Sequence, residues 1–254
     1  MFAAALAAFA GSALAQASSQ SGGAAAKEPS AAVAVPSTKQ ILKKYLDATG
    51  GRAAWEKIDS RVSQGTVEIP AMNLTGTAEM YEKAPDLALV KIVLSDSVFQ
   101  EGFDGKVAWS SDPKNGVREQ TGAQLEETRR ESDFRFPADF RKLYPKVSAA
   151  RAGTIGERPV YVIEATPRDG GKPDEAYFDA DSGLLVRLVT QHHADDGTVE
   201  PFQQDFSDYR AVDGVKIPFV IHQSGKQVDF TIRVQKVSRN VPVDVRQFSK
   251  PVAQ

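Results

Sequence analysis

The chain has 254 residues, no cysteine and a formal net charge of −2. That charge balance leaves no basic footprint for nucleic acid. The missing cysteines exclude disulfides, a thiol nucleophile and an acylated cysteine behind a leader.

Taken in order, the chain begins with ten residues that are almost entirely Ala, Leu and Phe, followed by Ala13-Leu14-Ala15, a small-x-small cleavage signal. Residues 1–15 therefore read as a signal peptide. They are too few to span a bilayer, and nothing later is long and apolar enough to do so. No basic segment precedes the apolar run, so the natural start is expected upstream. Residues 16–37 are mostly Ala, Ser, Gly, Gln and Pro. Such a segment buries too little apolar surface to offset the cost of ordering, and reads as a flexible linker. Residues 38–254 fit one β-rich domain. The expected location is the periplasm or the outside of the cell.

Ser37 followed by Gln40 predicts a capping box. Ile41, Leu42, Tyr45 and Leu46 continue it as one apolar stripe, and Gly50-Gly51 ends the helix. A second short turn carries Trp55 toward the core. Strand-like segments then follow with hairpin punctuation at Pro85-Asp86, Asp104-Gly105 and Asn115-Gly116. A helical insert is predicted from Thr121, with Gln124 completing a second capping box and Glu126 facing Arg130 on its solvent side. Phe136, Phe140, Leu143 and Tyr144 recur at helical spacing and seek something to cover. Strands resume from Lys146 to Val237, with turns at Asp169-Gly170, Ser182-Gly183, Asp196-Gly197, Asp213-Gly214 and Ser224-Gly225. The expected fold is mainly β: a curved antiparallel sheet of about ten or eleven strands. It forms an incomplete, half-open β-barrel covered by N-terminal and mid-chain helices.

No constellation in the sequence carries obvious chemistry. His192-His193 beside Asp195-Asp196 resembles a metal cluster, but neighbouring strand residues point to opposite faces, and a polar hairpin tip is the simpler reading. His222 lies within a strand. Asp205, Asp208 and Asp213 surround a turn and read as solvated carboxylates. The mixed-sign run from Glu126 to Glu131 reads as a solvated helix face. No catalytic residue, metal ligand or cofactor is therefore assigned. Apolar strand residues are more informative. From alternation, Val67, Met80, Leu89, Ile92, Phe99 and Trp109 in the first half are expected to line an apolar cavity. So are Phe178, Leu188, Phe206, Phe219, Phe230 and Ile232 in the second. Phe140, Leu143 and Tyr144 are expected to form a lid. A register error of one residue would turn a strand's set outward.

The segment Gly76 to Leu87, which includes Tyr81, Lys83 and Pro85, leads to Asp104-Gly105-Lys106 and Trp109. This order resembles the bacterial outer-membrane lipoprotein-sorting family, the LolA/LolB-like periplasmic carriers. Phe248 and Pro251 resemble that family's C-terminal Phe-x-x-Pro. Asp205 to Phe219 resembles a branch of related exported proteins. The likeness runs in order over most of Ile41 to Pro251. It implies an unclosed barrel, helices as a lid, and a cavity for acyl chains. The proteins it resembles carry an arginine just before the strand-end proline, tied to holding lid or cargo. Here that residue is Ala84, so the fold carries over better than the specific lipoprotein hand-off.

The function expected from these readings is a non-enzymatic, monomeric carrier of a lipid, an acylated protein or another apolar ligand, in transient contact with envelope membrane proteins. Two alternatives remain open: a β-rich envelope interaction module with a side-chain-filled core, and an enzyme using an acidic residue between Asp205 and Asp213.

Overall fold

The structure is a computed structural model that describes residues 35–194, 197–226 and 228–251. Residues 1–34, which hold the expected signal peptide and most of the expected linker, and Asp195 and Asp196 of the expected hairpin tip lie outside the described residues.

Two helices open the chain, α1 (Thr38–Ala48) and α2 (Arg52–Trp55). The Ser37 hydroxyl accepts from the Gln40 amide while the Gln40 side chain caps the Ser37 amide, so the predicted capping box forms. Six antiparallel strands follow: β1 (Ser60–Ile69), β2 (Leu74–Lys83), β3 (Leu87–Leu94), β4 (Ser97–Phe103), β5 (Ala108–Asp112) and β6 (Gly116–Gln120). The insert contributes α3 (Gly122–Glu131) and α4 (Phe136–Leu143). Eight more strands complete the domain. They are β7 (Lys146–Val147), β8 (Arg151–Ile155), β9 (Arg158–Thr166), β10 (Asp174–Asp179), β11 (Leu185–His193), β12 (Val199–Val212), β13 (Val215–Ser224) and β14 (Asp229–Arg239).

All fourteen strands belong to one sheet, ordered β6-β5-β4-β3-β2-β1-β14-β13-β12-β11-β10-β9-β7, with β8 also on β9. Every pairing is antiparallel, including β1 with β14, which joins two meanders at the middle of the sheet. The sheet is curved and open, as expected, but the strand count exceeds ten or eleven. Short hairpins such as β5–β6 pair fully into the sheet, and the segment from Lys146 to Ile155 splits into β7 and β8, both on β9. The two edge strands, β6 and β7, are consecutive in the chain, and the insert α3–α4 is the only segment between them. The helices therefore cover the one gap in the barrel.

Pairing register assigns the two faces. Val67 pairs with Gly76 and with Ile232, and Ile92 with Ala78 and Phe99, placing these side chains on the inner face. They form one apolar cluster with Trp55, Phe134, Phe219 and Phe230. A second inner cluster joins Phe178, Leu188 and Phe206 to Tyr45 of α1 and to Phe136, Phe140 and Tyr144 of the insert.

Candidate functional site

Space remains between the two inner clusters. A cavity of about 820 Å³, counting its open mouth, is bordered by α1, α2, the Asp133–Pro137 segment, and strands β1, β2, β12, β13 and β14. Its apolar wall includes Tyr45, Trp55, Phe134, Phe136, Phe206 and Ile217.

Of the twelve residues expected to line a cavity, Met80 and Phe206 border this one. Val67, Ile92, Phe99, Phe219, Phe230 and Ile232 pack into the first inner cluster, and Phe178 and Leu188 into the second. They floor the barrel instead of facing the open space. Leu89 and Trp109 lie elsewhere. The register runs Tyr81, Leu89, Gly102, Trp109 along one row, on the opposite face from Ile92. There they pack with Phe248 of the C-terminal segment, and the Trp109 indole donates to the Phe248 carbonyl at 2.8 Å. A Cβ on Gly102 would sit 2.5 Å from that indole, so glycine alone lets the ring lie flat on the sheet. Strand β3 is apolar on both faces, which is why alternation alone could not orient it.

The lid residues also divide. Phe140 and Tyr144 are buried in the second cluster, with ring centroids 4.9 Å apart and Phe140 6.0 Å from Phe178. Leu143 packs against them in part. None of the three borders the cavity; Phe134, Phe136 and Pro137, at the entry to α4, do. The signal for them was the aromatic pair flanking Arg135 ahead of a helix-starting proline.

At the position where the resembling carriers have arginine, Ala84 packs on the first cluster. The cover is tied down from its own side: Phe134 donates its backbone amide to the Pro85 carbonyl at 3.0 Å. The Arg135 guanidinium reaches the Trp55 and Ile58 carbonyls at 3.2 and 3.3 Å.

Helix α3 departs furthest from expectation. Glu127, Thr128, Arg130 and Glu131 are buried, not solvated, because the helix lies across the gap and meets both halves of the sheet. Glu126 pairs with Arg129 at 2.6 Å, leaving Arg130 to turn inward toward Asp174 and Tyr144. The expected capping box is absent, and the Gln124 amide instead donates to the His193 carbonyl at 2.9 Å. His192 and His193 are no free hairpin tip either. His192 Nδ1 lies 3.0 Å from one Glu127 carboxylate oxygen, and the His193 amide donates to the other at 3.2 Å. On the other half, Thr128 donates to Gln120, which donates to Glu101 at 2.8 Å. Burial pushes Glu101 up to about 7 and Asp174 up to about 6. Burial opposes charge on His192 too, but the Glu127 bond outweighs it and raises that ring above its ordinary value.

Of the remaining acidic candidates, Asp205 and Asp208 are individually paired, and Asp213 stands at the β12–β13 turn. Asp205 accepts from Arg187 at 2.6 Å, and Asp208 pairs with Arg210 at 2.6 Å. His222 bonds Asp229 at 2.9 Å on a half-exposed surface. Among the described residues, no three His, Asp or Glu side chains assemble as a metal site.

No family model matches the chain, and no curated protein matches it. Solved structures do. A DUF1329 family protein from Desulfovibrio piger superposes with a TM-score of 0.54 at 13% identity, covering 83% of this chain and 96% of that one. A LolA superfamily protein from Nitrosomonas europaea gives 0.54 at 13% identity, over 85% and 99%. A putative outer membrane lipoprotein-sorting protein domain from Vibrio parahaemolyticus gives 0.51 at 12%, over 82% and 94%. At such identities the likeness establishes a shared LolA-like fold.

Proposed function

We propose that residues 38–254 form an exported carrier that holds the apolar part of a lipid or acylated protein inside the open barrel, with outer-membrane lipoprotein sorting as one setting. Residues 1–15 would direct export and residues 16–37 would tether the monomeric domain. No cofactor or catalytic step is involved. The supporting observation is the cavity under the insert, walled in part by Tyr45, Trp55, Phe134, Phe136 and Phe206, on the concave side of an open sheet whose gap is covered by helices rather than sealed by strands. Burying a methylene there contributes about 0.8 kcal/mol, so a long chain supplies the affinity.

The test is organic extraction of the purified protein followed by lipid mass spectrometry, together with uptake of a fluorescent fatty-acid probe. Bound lipid or saturable uptake is expected. A protein that carries no lipid and takes up no probe overturns the carrier reading. The extent to which Val67, Phe99 and Phe230 already fill the barrel floor favours one alternative, an envelope interaction module with a packed interior. That alternative predicts the negative result.

A further inference from the structure

Gln204 on β12 borders the cavity and is only 1% exposed. Neither its amide nitrogen nor its amide oxygen has a hydrogen-bond partner among the described residues. A buried amide with both ends unsatisfied is costly, so it calls for an explanation. Two neighbours on the same wall show the contrast. The Thr49 hydroxyl donates to the Tyr45 carbonyl at 3.1 Å, and the Tyr209 hydroxyl to the Leu185 carbonyl at 2.7 Å. Strand pairing does not account for Gln204 either. It pairs with Leu188 and with Gln223, and Gln223 with Phe230, which places its side chain on the inner face among core residues. Leucine or methionine would fill that place without the penalty.

The charges around the cavity restrict what could meet this amide. Arg61 and Lys216 on the wall are matched by Glu82 and Asp133, so the lining carries no net charge. Arg61 and Glu82 hold each other through two hydrogen bonds, and β13 and β14 separate β12 from β1. Lys216 is at the opposite end of β13 from Gln223, the ladder partner of Gln204. An ionised group beside Gln204 would lose its water without gaining a counter-ion.

Resting on the carrier reading, we infer that the ligand carries an uncharged group that both donates and accepts a hydrogen bond, a hydroxyl or an amide, and that this group seats against the Gln204 side chain. The Gln204 N–H donates to the ligand's oxygen, and the ligand's O–H or N–H donates to the Gln204 oxygen. An ester or ether, which only accepts, would satisfy one end and leave the other. The apolar part lies along Tyr45, Trp55, Phe136 and Phe206. Gln204 thereby sets specificity for the polar end of the ligand.

The experiment compares dodecanol with its isomer undecyl methyl ether, which has the same atoms but no O–H. Binding is read by the fluorescence of Trp55, which borders the cavity, whereas Trp109 is on the other face. A purely apolar pocket prefers the ether, which has no O–H to desolvate. Dodecanol is instead expected to bind about fivefold tighter, the effect of one more neutral hydrogen bond. Laurate, ionised at neutral pH, should bind more weakly than dodecanol. Gln204→Met should abolish the preference for dodecanol and raise the melting temperature of the ligand-free protein, because two unsatisfied atoms leave the interior. If that variant does not fold, the order of the three ligands on the natural protein decides. An ether bound as tightly as the alcohol, laurate bound more tightly than the alcohol, or a preference that Gln204→Met leaves intact overturns the inference while the carrier reading stands. If none of the three binds and the fatty-acid probe is not taken up, the carrier reading fails and this inference with it.

Discussion

Helices α3 and α4 are neighbours in the chain and close the same gap, yet opposite means hold them down. Helix α4 is seated by rings: Phe136, Phe140 and Tyr144 stack among themselves and on Phe178. Helix α3 is seated by charges and amides that reach both halves of the sheet, through Glu127 to His192 and through Thr128 and Gln120 to Glu101. Apolar burial is indifferent to protons, whereas a buried carboxylate is stable only in the protonation state that its surroundings favour. One cover thus holds a clasp that is mainly apolar and one that depends on pH, the two meeting where the Tyr144 hydroxyl donates to Asp174 at 2.8 Å.

The sharpest way to break this contrast is to remove a ring from the apolar clasp. Phe140→Ala leaves a hole between Phe136, Tyr144 and Phe178, and truncations of this kind cost about 3–5 kcal/mol. Urea denaturation at pH 6 and at pH 8 should give the same loss at both. A loss that changes strongly with pH would mean that the two fastenings are not separable.

The charged clasp should respond to pH alone. Glu101 and Asp174 have values raised above those of the unfolded chain, so the stability that they contribute is complete at acid pH. It is lost as pH rises through about 6 for Asp174 and about 7 for Glu101. His192, also raised, contributes fully below its ordinary value and loses its contribution as pH climbs past it. All three act in one direction between pH 5 and 8. For Glu101 the change is on the order of 3 kcal/mol. Amide hydrogen exchange should accordingly speed up in α3 between pH 5.5 and 8, after correction for intrinsic rates, while α4 stays protected. Glu101→Gln, which keeps the bond to Gln120 without a titrating proton, should flatten most of that response. A protein equally stable at pH 5.5 and 8 would remove the charged clasp as a conditional device.

The sequence disclosed the apolar clasp and concealed the charged one, for a physical reason. Phe136, Phe140 and Tyr144 announce a buried face by helical spacing, and the hairpin punctuation from Asp104-Gly105 to Asp213-Gly214 announces the meanders. The run from Glu126 to Glu131 looks solvated because the residues that bury it, Glu101, Gln120, Asp174 and His192, come from four separate strands. Local pattern cannot report a partner set assembled by topology. Leu89 and Trp109 failed for a related reason. Where both faces of a strand are apolar, the sequence offers no parity to read, and only Phe248, far along the chain, decides the outward face. The cavity followed the same rule: Met80 and Phe206 were legible by alternation, whereas Gln204 is polar and was passed over.

The smallest effect provides the control for the contrast. Lys43 and Asp47 form an i,i+4 pair on α1, with 74% and 57% of their side chains exposed. Such a pair gains little from attraction in water and is screened by salt. Asp47→Asn should therefore change stability by less than about 0.5 kcal/mol, with no difference between pH 6 and 8 and a still smaller effect at high salt. Helix α1 packs on α4 and carries Tyr45 against Phe178 at 5.2 Å, so even its seating relies on rings rather than on this pair. If Asp47→Asn destabilised the protein as much as Glu101→Gln altered its pH response, charge as such would be the sensitive element. A null result assigns the pH dependence to burial, which separates the carboxylates under α3 from every exposed ion pair on the surface.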